Sequence, residues 1–239
     1  MRAVPGFLLL LCLGSALGAT DERVVEGQVQ PHRQVEVSAA ASARIAEMKV
    51  QEGDSVKAGQ VLAQLYSRLE ELEMQRAKAL LERREFEAKG AKKLYDSRII
   101  PEAKALESRI DLDLARLQYE TAAEQVRLRT VLAPLDGVVV LRTREQGELV
   151  STGQVLFRIL DLSRVVVVCA VDPARVASCP AGTKVKVRLK QGNGGEVHPG
   201  TVSLVDPHAD GEGKVRVKVL VENAEGRILA GLKALVVLP

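Results

Sequence analysis

The side chains best suited to catalysis or metal capture are few in this sequence and poorly grouped. The three histidines, His32, His198 and His208, share no spacing that converges on a metal. After the start residue the only methionines are Met48 and Met74, which leaves soft-metal capture without ligands. There is no Gly-x-Ser-x-Gly elbow, no phosphate-cradling glycine loop and no His–Glu metal motif. Carboxylates crowd residues 66–132, but they are interleaved with Arg and Lys as on a solvated helix face. The expectation is a non-enzyme, with no catalytic residue, no cofactor and no metal.

Two cysteines leave a question open. Cys169 lies in the strand-like run Val165–Val171, and Cys179 follows a short helical stretch at 174–178. They either pair as a disulfide in an oxidising compartment or serve as two small buried hydrophobes. Spacing alone does not set the Cα separation that a bridge needs.

Composition narrows the class. The chain has 239 residues, 46% hydrophobic and 27% charged, which is globular rather than disordered and allows one or two domains. Its 34 Lys and Arg nearly balance 31 Asp and Glu, for a net charge of +3. A nucleic-acid binder would carry a larger basic excess to neutralise phosphates. Only 3% of residues are aromatic and none is Trp, so base-stacking platforms are not expected either.

The N-terminus reads as an export signal. Met1-Arg2 gives a positive start, Phe7–Leu13 an apolar run, and Ala16-Leu17-Gly18 the small residues that a signal peptidase reads. The run is too short for a permanent span, which needs about 20 apolar residues. Acylation at Cys12 is disfavoured by Leu11, where such sites carry a small residue. Residues 1–18 are therefore expected to be a signal peptide, and the remainder an exported, periplasmic chain.

An internal repeat is the strongest signal. Residues 39–65 realign with 133–159 at a constant offset of 94 (Ala39 to Ala133), without gaps. Gly53 meets Gly147, Val56 meets Val150, and Gly59-Gln60-Val61-Leu62 meets Gly153-Gln154-Val155-Leu156. Each copy alternates apolar and polar residues between glycines, the pattern of short half-buried strands. Gly53, Gly59, Gly137, Gly147 and Gly153 are expected at the tight turns. One copy is too small to bury its own apolar face, so the two must clasp each other.

Between the copies the period changes. From Tyr66 to Tyr95 there is no Pro and one Gly, with apolar residues at Leu65, Leu69, Leu72, Ala79 and Phe86. After a break at Asp96-Ser97-Arg98-Ile99-Ile100, Pro101 opens a second stretch carrying Ala103, Leu106, Ile110, Leu117 and Thr121. Both stretches are rich in strong helix formers, and each reaches about 43 Å if fully helical. They predict an antiparallel two-helix hairpin packed along these stripes, with Arg76, Arg83, Asp113 and Glu124 at or near its seam and neighbouring copies completing it.

Residues 162–239 return to strands: Val165–Val171, Lys184–Leu189, Thr201–Val205, Lys214–Val221 and Leu235–Leu238, with turns at Gly192–Gly195 and Asp210–Gly213. They suggest a small antiparallel barrel. The expected fold is mainly β with an α-helical hairpin. A lipoyl-like barrel-sandwich domain (38–65 and 133–160) is split by a coiled-coil hairpin (66–132) and followed by a β-barrel (161–239). A strand or linker at 19–37 precedes the first half.

Three stretches resemble the periplasmic adaptors, or membrane fusion proteins, of resistance-nodulation-division efflux systems. Ile45–Leu65, with Val50-Gln51-Glu52-Gly53-Asp54-Ser55-Val56-Lys57-Ala58-Gly59-Gln60-Val61-Leu62, is similar to the first lipoyl-like half. Ala133-Pro134-Leu135-Asp136-Gly137-Val138-Val139, continuing to Leu156, is similar to the second. Asn223–Leu232 resembles the closing segment of the adaptor barrel. Two departures stand out: Ala43 replaces a usual Gly, and the family's Arg, Leu and Ser tip pattern is met by Gly90, Leu94 and Pro101. The chain ends soon after the barrel, so a membrane-proximal domain is expected to be absent or minimal.

A biotinyl or lipoyl carrier is the sharpest rival, since Glu47-Met48-Lys49-Val50 mimics a biotin-acceptor sequence. An acceptor lysine sits on the turn between the two halves, and here that turn has become the hairpin. An envelope scaffold unconnected with transport is the other alternative. The resemblance implies a homo-oligomeric adaptor joining an inner-membrane transporter and an outer-membrane channel, with no nucleic acid. Leu94, Arg98, Ile99 and Ile100 are the expected docking residues at the hairpin tip.

Overall fold

A computed structural model describes residues 24–190 and 196–239. The signal segment and the expected turn at Gly192–Gly195 lie outside the described residues. The chain divides into two compact units. One comprises Gln30–Val166 and Glu222–Ala230; the other comprises Val167–Val221, Gly231–Pro239 and the residues up to Val29.

The first unit is built by exchange between the repeat copies. From the first copy come β2 (Ala43–Met48), β3 (Ser55–Val56) and β4 (Val61–Leu65). From the second come β6 (Gly137–Arg142) and β7 (Leu149–Val150), and β5 (Thr130–Leu132) immediately precedes it. Each of these first-copy strands pairs antiparallel with a strand beyond residue 129: Ala43 with Val150, Ser55 with Val138, and Val61 with Leu132, while β2 also pairs with β4, Ile45 opposite Leu65. The resulting core contains equivalent pairs from both copies: Ala39 and Ala133, Ile45 and Val139, Val56 and Val150, Leu62 and Leu156, Leu65 and Ile159. Residues that match in sequence thus share one interior, the clasp that a copy too small to fold alone requires.

Out of this unit rises the hairpin, α1 (Arg68–Asp96) and α2 (Glu102–Arg127). Its seam is not the expected one. The positions withdrawn from solvent include Met74, Ala77, Leu81, Arg84 and Ala88 on α1, and Ala105, Leu112, Ala115, Tyr119 and Ala122 on α2. The stripe read from the sequence faces outward instead: Leu69, Leu72, Phe86, Leu106, Ile110 and Leu117 are all exposed, Phe86 to 80%. Ala79, Ala103 and Thr121 are exposed too, and Arg76, Arg83, Asp113 and Glu124 also lie away from the seam. Alanine at the seam lets two backbones approach closely, and the larger side chains are displaced to the flanks. One ion pair, Arg84 to Asp111 at 3.0 Å, crosses between the helices.

At its root the hairpin is tied to the lipoyl-like strands. Arg129 donates to the Ser42 carbonyl at 2.9 Å and to the Glu70 carboxylate. The Arg129 carbonyl accepts from the Leu65 amide at 2.8 Å.

The second unit is a closed barrel. It uses the first part of β1 (Val24–Ser38), the last part of β8 (Val155–Val171), and β9 (Lys184–Leu189), β10 (Val197–Ala209), β11 (Val215–Glu222) and β12 (Lys233–Val237). Pairing runs β1-β12-β9-β10-β11-β8, and β8 returns to β1. Inward valines and Leu189 alternate with outward polar residues, most plainly along β9. The segment expected to close the barrel divides differently, because Glu222–Ala230 belongs with the lipoyl-like unit. Buried Asn223 holds it there: its side-chain amide donates to the carbonyls of Leu162 (2.8 Å) and Ile228 (3.1 Å), and its Oδ1 accepts from the Ile228 amide.

Candidate docking surface of the hairpin

The tip is a helix stop made without glycine. The Arg98 amide bonds the Tyr95 carbonyl at 2.7 Å, and the Ile99 amide reaches back to the Leu94 carbonyl at 2.8 Å. This is a Schellman closure, in which the residue after the cap takes a left-handed conformation, usually as glycine. Here that residue is Arg98, at φ 60°, the one non-glycine with positive φ among the described residues. Strain of this kind costs about 1 kcal/mol and collects at sites kept for function.

The closure throws apolar side chains outward. Ile99 is 68% exposed, and Leu94 and Tyr95 are each about two-fifths exposed. Ile100 is half-buried at the turn, and Pro101 caps α2 with extended backbone. The four residues expected at the tip are therefore together there, and Tyr95 joins them. Tyr95 went unnoticed because a tyrosine near a helix end carries no distinctive spacing.

Below the tip one flank of the hairpin holds an open groove of about 970 Å³. Ala77, Leu80, Leu114, Leu117 and Ala122 form its apolar lining, with Glu73, Arg76 and Arg83 also at its walls. Arg83 and Arg84 both donate to Glu87 at 2.8 Å, and these bonds hold its carboxyl below the usual range. Of these apolar residues only Leu117 belongs to the stripe that the sequence assigned to the seam.

The remaining singled-out residues are structural. Gly53, Gly59, Gly147 and Gly153 take φ between 81° and 94°. Gly137 differs: it opens β6 without a positive φ, and a Cβ there would sit 2.4 Å from the Leu160 carbonyl oxygen. Cys169 and Cys179 are both buried free thiols. Burial, with a smaller effect from Cys179, pushes the Cys169 thiol up to about 11. Among the described residues no cluster of His, Cys, Asp or Glu is arranged for a metal, and no helix is long and apolar enough to cross a membrane.

The exchanged strands and the hairpin inserted between them correspond to a known family. The domain described as "RND MFP, barrel-sandwich hybrid domain" matches residues 33–162, more than half of the chain. The chain belongs to this membrane fusion protein family. Members of this family are non-catalytic adaptors of efflux systems.

Relatives of this family member are distant. Nodulation protein NolF of Rhizobium meliloti (strain 1021) is 27% identical over 229 residues, 90% of this chain and 62% of NolF. An uncharacterised protein of Haemophilus influenzae (strain ATCC 51907 / DSM 11121 / KW20 / Rd) is 23% identical over 86% of this chain and 54% of its own length. The chain thus spans less than two thirds of the curated relatives it matches. Among solved structures, a MacA–MexA chimera carrying the Pseudomonas aeruginosa MexA α-hairpin superposes with a TM-score of 0.79 at 22% identity, covering 89% of this chain and 76% of the chimera. The membrane fusion protein Spr0693 of Streptococcus pneumoniae R6 superposes with a TM-score of 0.73 at 19% identity, over 90% and 98%. At these identities the likeness is one of fold.

Proposed function

We propose that this chain is a periplasmic adaptor of an export complex, reaching its compartment through the segment at 1–18. It engages an inner-membrane transporter and bridges toward an outer-membrane channel, with the hairpin as the reaching element. Several copies stand side by side, each apolar flank groove taking a neighbouring hairpin. Leu94, Arg98, Ile99 and Ile100 dock the tip on its partner.

One observation carries this reading: a strained, non-glycine helix stop that holds Ile99 out in solvent. A hairpin built only to close on itself would place glycine at residue 98 and turn the isoleucine inward. Exposed apolar side chains on a rigid projection are the signature of a contact surface.

Ile99→Asp together with Ile100→Asp tests it in a strain whose export depends on this chain. The double variant should fold with unchanged helical circular dichroism and lose export. Full export by the folded variant would remove tip docking.

A further inference from the structure

The outer face of β9 carries a row of cations that the adaptor role does not use. Lys184, Lys186 and Arg188 point outward on alternate positions, with Val185, Val187 and Leu189 buried between them. Successive outward residues on a strand lie about 7 Å apart, so the row is about 13 Å long. The row continues into exposed Lys190, and exposed Lys233 lies beside it on β12. Lys190, Lys214 and Arg216 of the same barrel each hold a carboxylate, Glu26, Glu212 and Asp206. Lys184, Lys186 and Arg188 have none among the described residues.

None of the in-register neighbours of this row is acidic, and all are apolar except Thr201 beside Lys184. In register, Arg188 stands between Val197 of β10 and Leu235 of β12, and Lys186 between Pro199 and Val237. Val197 is half exposed. The face is therefore convex, rigid, cationic and lightly apolar, with no acidic residue in register with the three free cations; Glu196 precedes Val197, and Glu26 stands opposite Leu235, where Lys190 holds it.

We infer that this face of the barrel rests on an anionic phospholipid surface. A protein partner would be expected to meet aromatic or arginine anchors in a desolvated centre, from which lysine is depleted. This patch has two lysines, one arginine and no aromatic residue. Flexible ammonium groups on a convex sheet suit a fluid layer of phosphates, where each contributes about a five-fold gain in partitioning. Short apolar side chains beside them suit the headgroup boundary.

Cosedimentation of the full chain with phosphatidylcholine vesicles, with or without one quarter phosphatidylglycerol, tests this. The apolar run at residues 7–13 is common to every arm, so differences between vesicles and variants isolate β9. Expected is preferential binding to the anionic vesicles that weakens with added salt. Lys184→Gln, Lys186→Gln and Arg188→Gln together should lower that binding about 100-fold. Lys78→Gln, Lys89→Gln and Lys92→Gln on the hairpin remove the same charge and should leave most of it. No preference for anionic vesicles, undiminished binding by the β9 variant, or equal loss in both variants would each overturn the inference. Single glutamine variants, each lowering binding about five-fold, carry the test if the triple variant fails to fold. The readout is independent of export, so it stands or falls apart from the adaptor reading.

Discussion

The amide of Ala39 donates to the carbonyl of Gln154 at 2.9 Å. Its repeat equivalent, Ala133 to Gln60, has the same length. The correspondence continues through Gly53 to Val139 and Gly147 to Ile45, and through Gly59 to Ala133 and Gly153 to Ala39. Even the turn contacts match: the Lys57 amide donates to the Gln60 side chain, and the Ser151 amide to that of Gln154, both at 3.0 Å. Two sequence copies have become two halves of a pseudo-symmetric body.

That symmetry fails instructively at Gly137, which predicts two different glycine phenotypes. Gly137→Ala forces a Cβ into the Leu160 carbonyl and should cost about 3 kcal/mol in chemical denaturation, because backbone must move. Gly53→Ala meets open space and costs only the left-handed conformation, about 1 kcal/mol. Equal losses would mean that the close approach is not what fixes Gly137.

Arg98 makes the opposite prediction. Arg98→Gly relieves the positive φ and should stabilise the hairpin by about 1 kcal/mol, read from helical circular dichroism in urea. The same variant should export less well, since it removes the guanidinium from the tip.

The flank groove predicts a change of assembly. Leu114→Asp with Leu117→Asp places charge on exposed positions outside the seam, so helicity should persist. Sedimentation velocity should show an oligomer for the unaltered chain and a monomer for the double variant. An oligomer that survives both changes must be held elsewhere.

Cys169 predicts a pH dependence. Its folded pKa, about 11, stands above the ordinary 9.0, so folding favours the neutral thiol. The contribution is complete below about pH 9 and is lost as pH rises through 11. Stability should fall by about 2 kcal/mol across that window, and Cys169→Val should flatten the fall. Neither Cys169 nor Cys179 should react with a thiol reagent at neutral pH until the chain unfolds.

The exchanged β-module was legible because its glycines and valines recur at one offset, and the hairpin because its composition is so strongly helical. The seam was not. Leu69, Phe86, Leu106 and Leu117 recur at the same three-and-four spacing as Ala77, Ala88, Ala115 and Ala122, and periodicity gives no rule for choosing between two such stripes. Side-chain size pointed the wrong way, because close helix packing favoured the alanines. Tip residues could be placed from the break at 96–101, whereas the backbone strain at Arg98 required coordinates. Asn223 was visible as part of a motif, but its hydrogen bond to the Leu162 carbonyl joins segments with no pattern in common.

Strand exchange also sets an order of events. β2 pairs with β4 inside the first copy, but β3 and the outer edges of that pair find partners only beyond the hairpin, so a chain growing from its N-terminus carries them open until the second copy is made. The helices between have only local contacts to form and close first. A chain cut short just after α2 would therefore carry a completed shaft on an unfinished base, with β3 and the outer edges of the β2–β4 pair left adhesive.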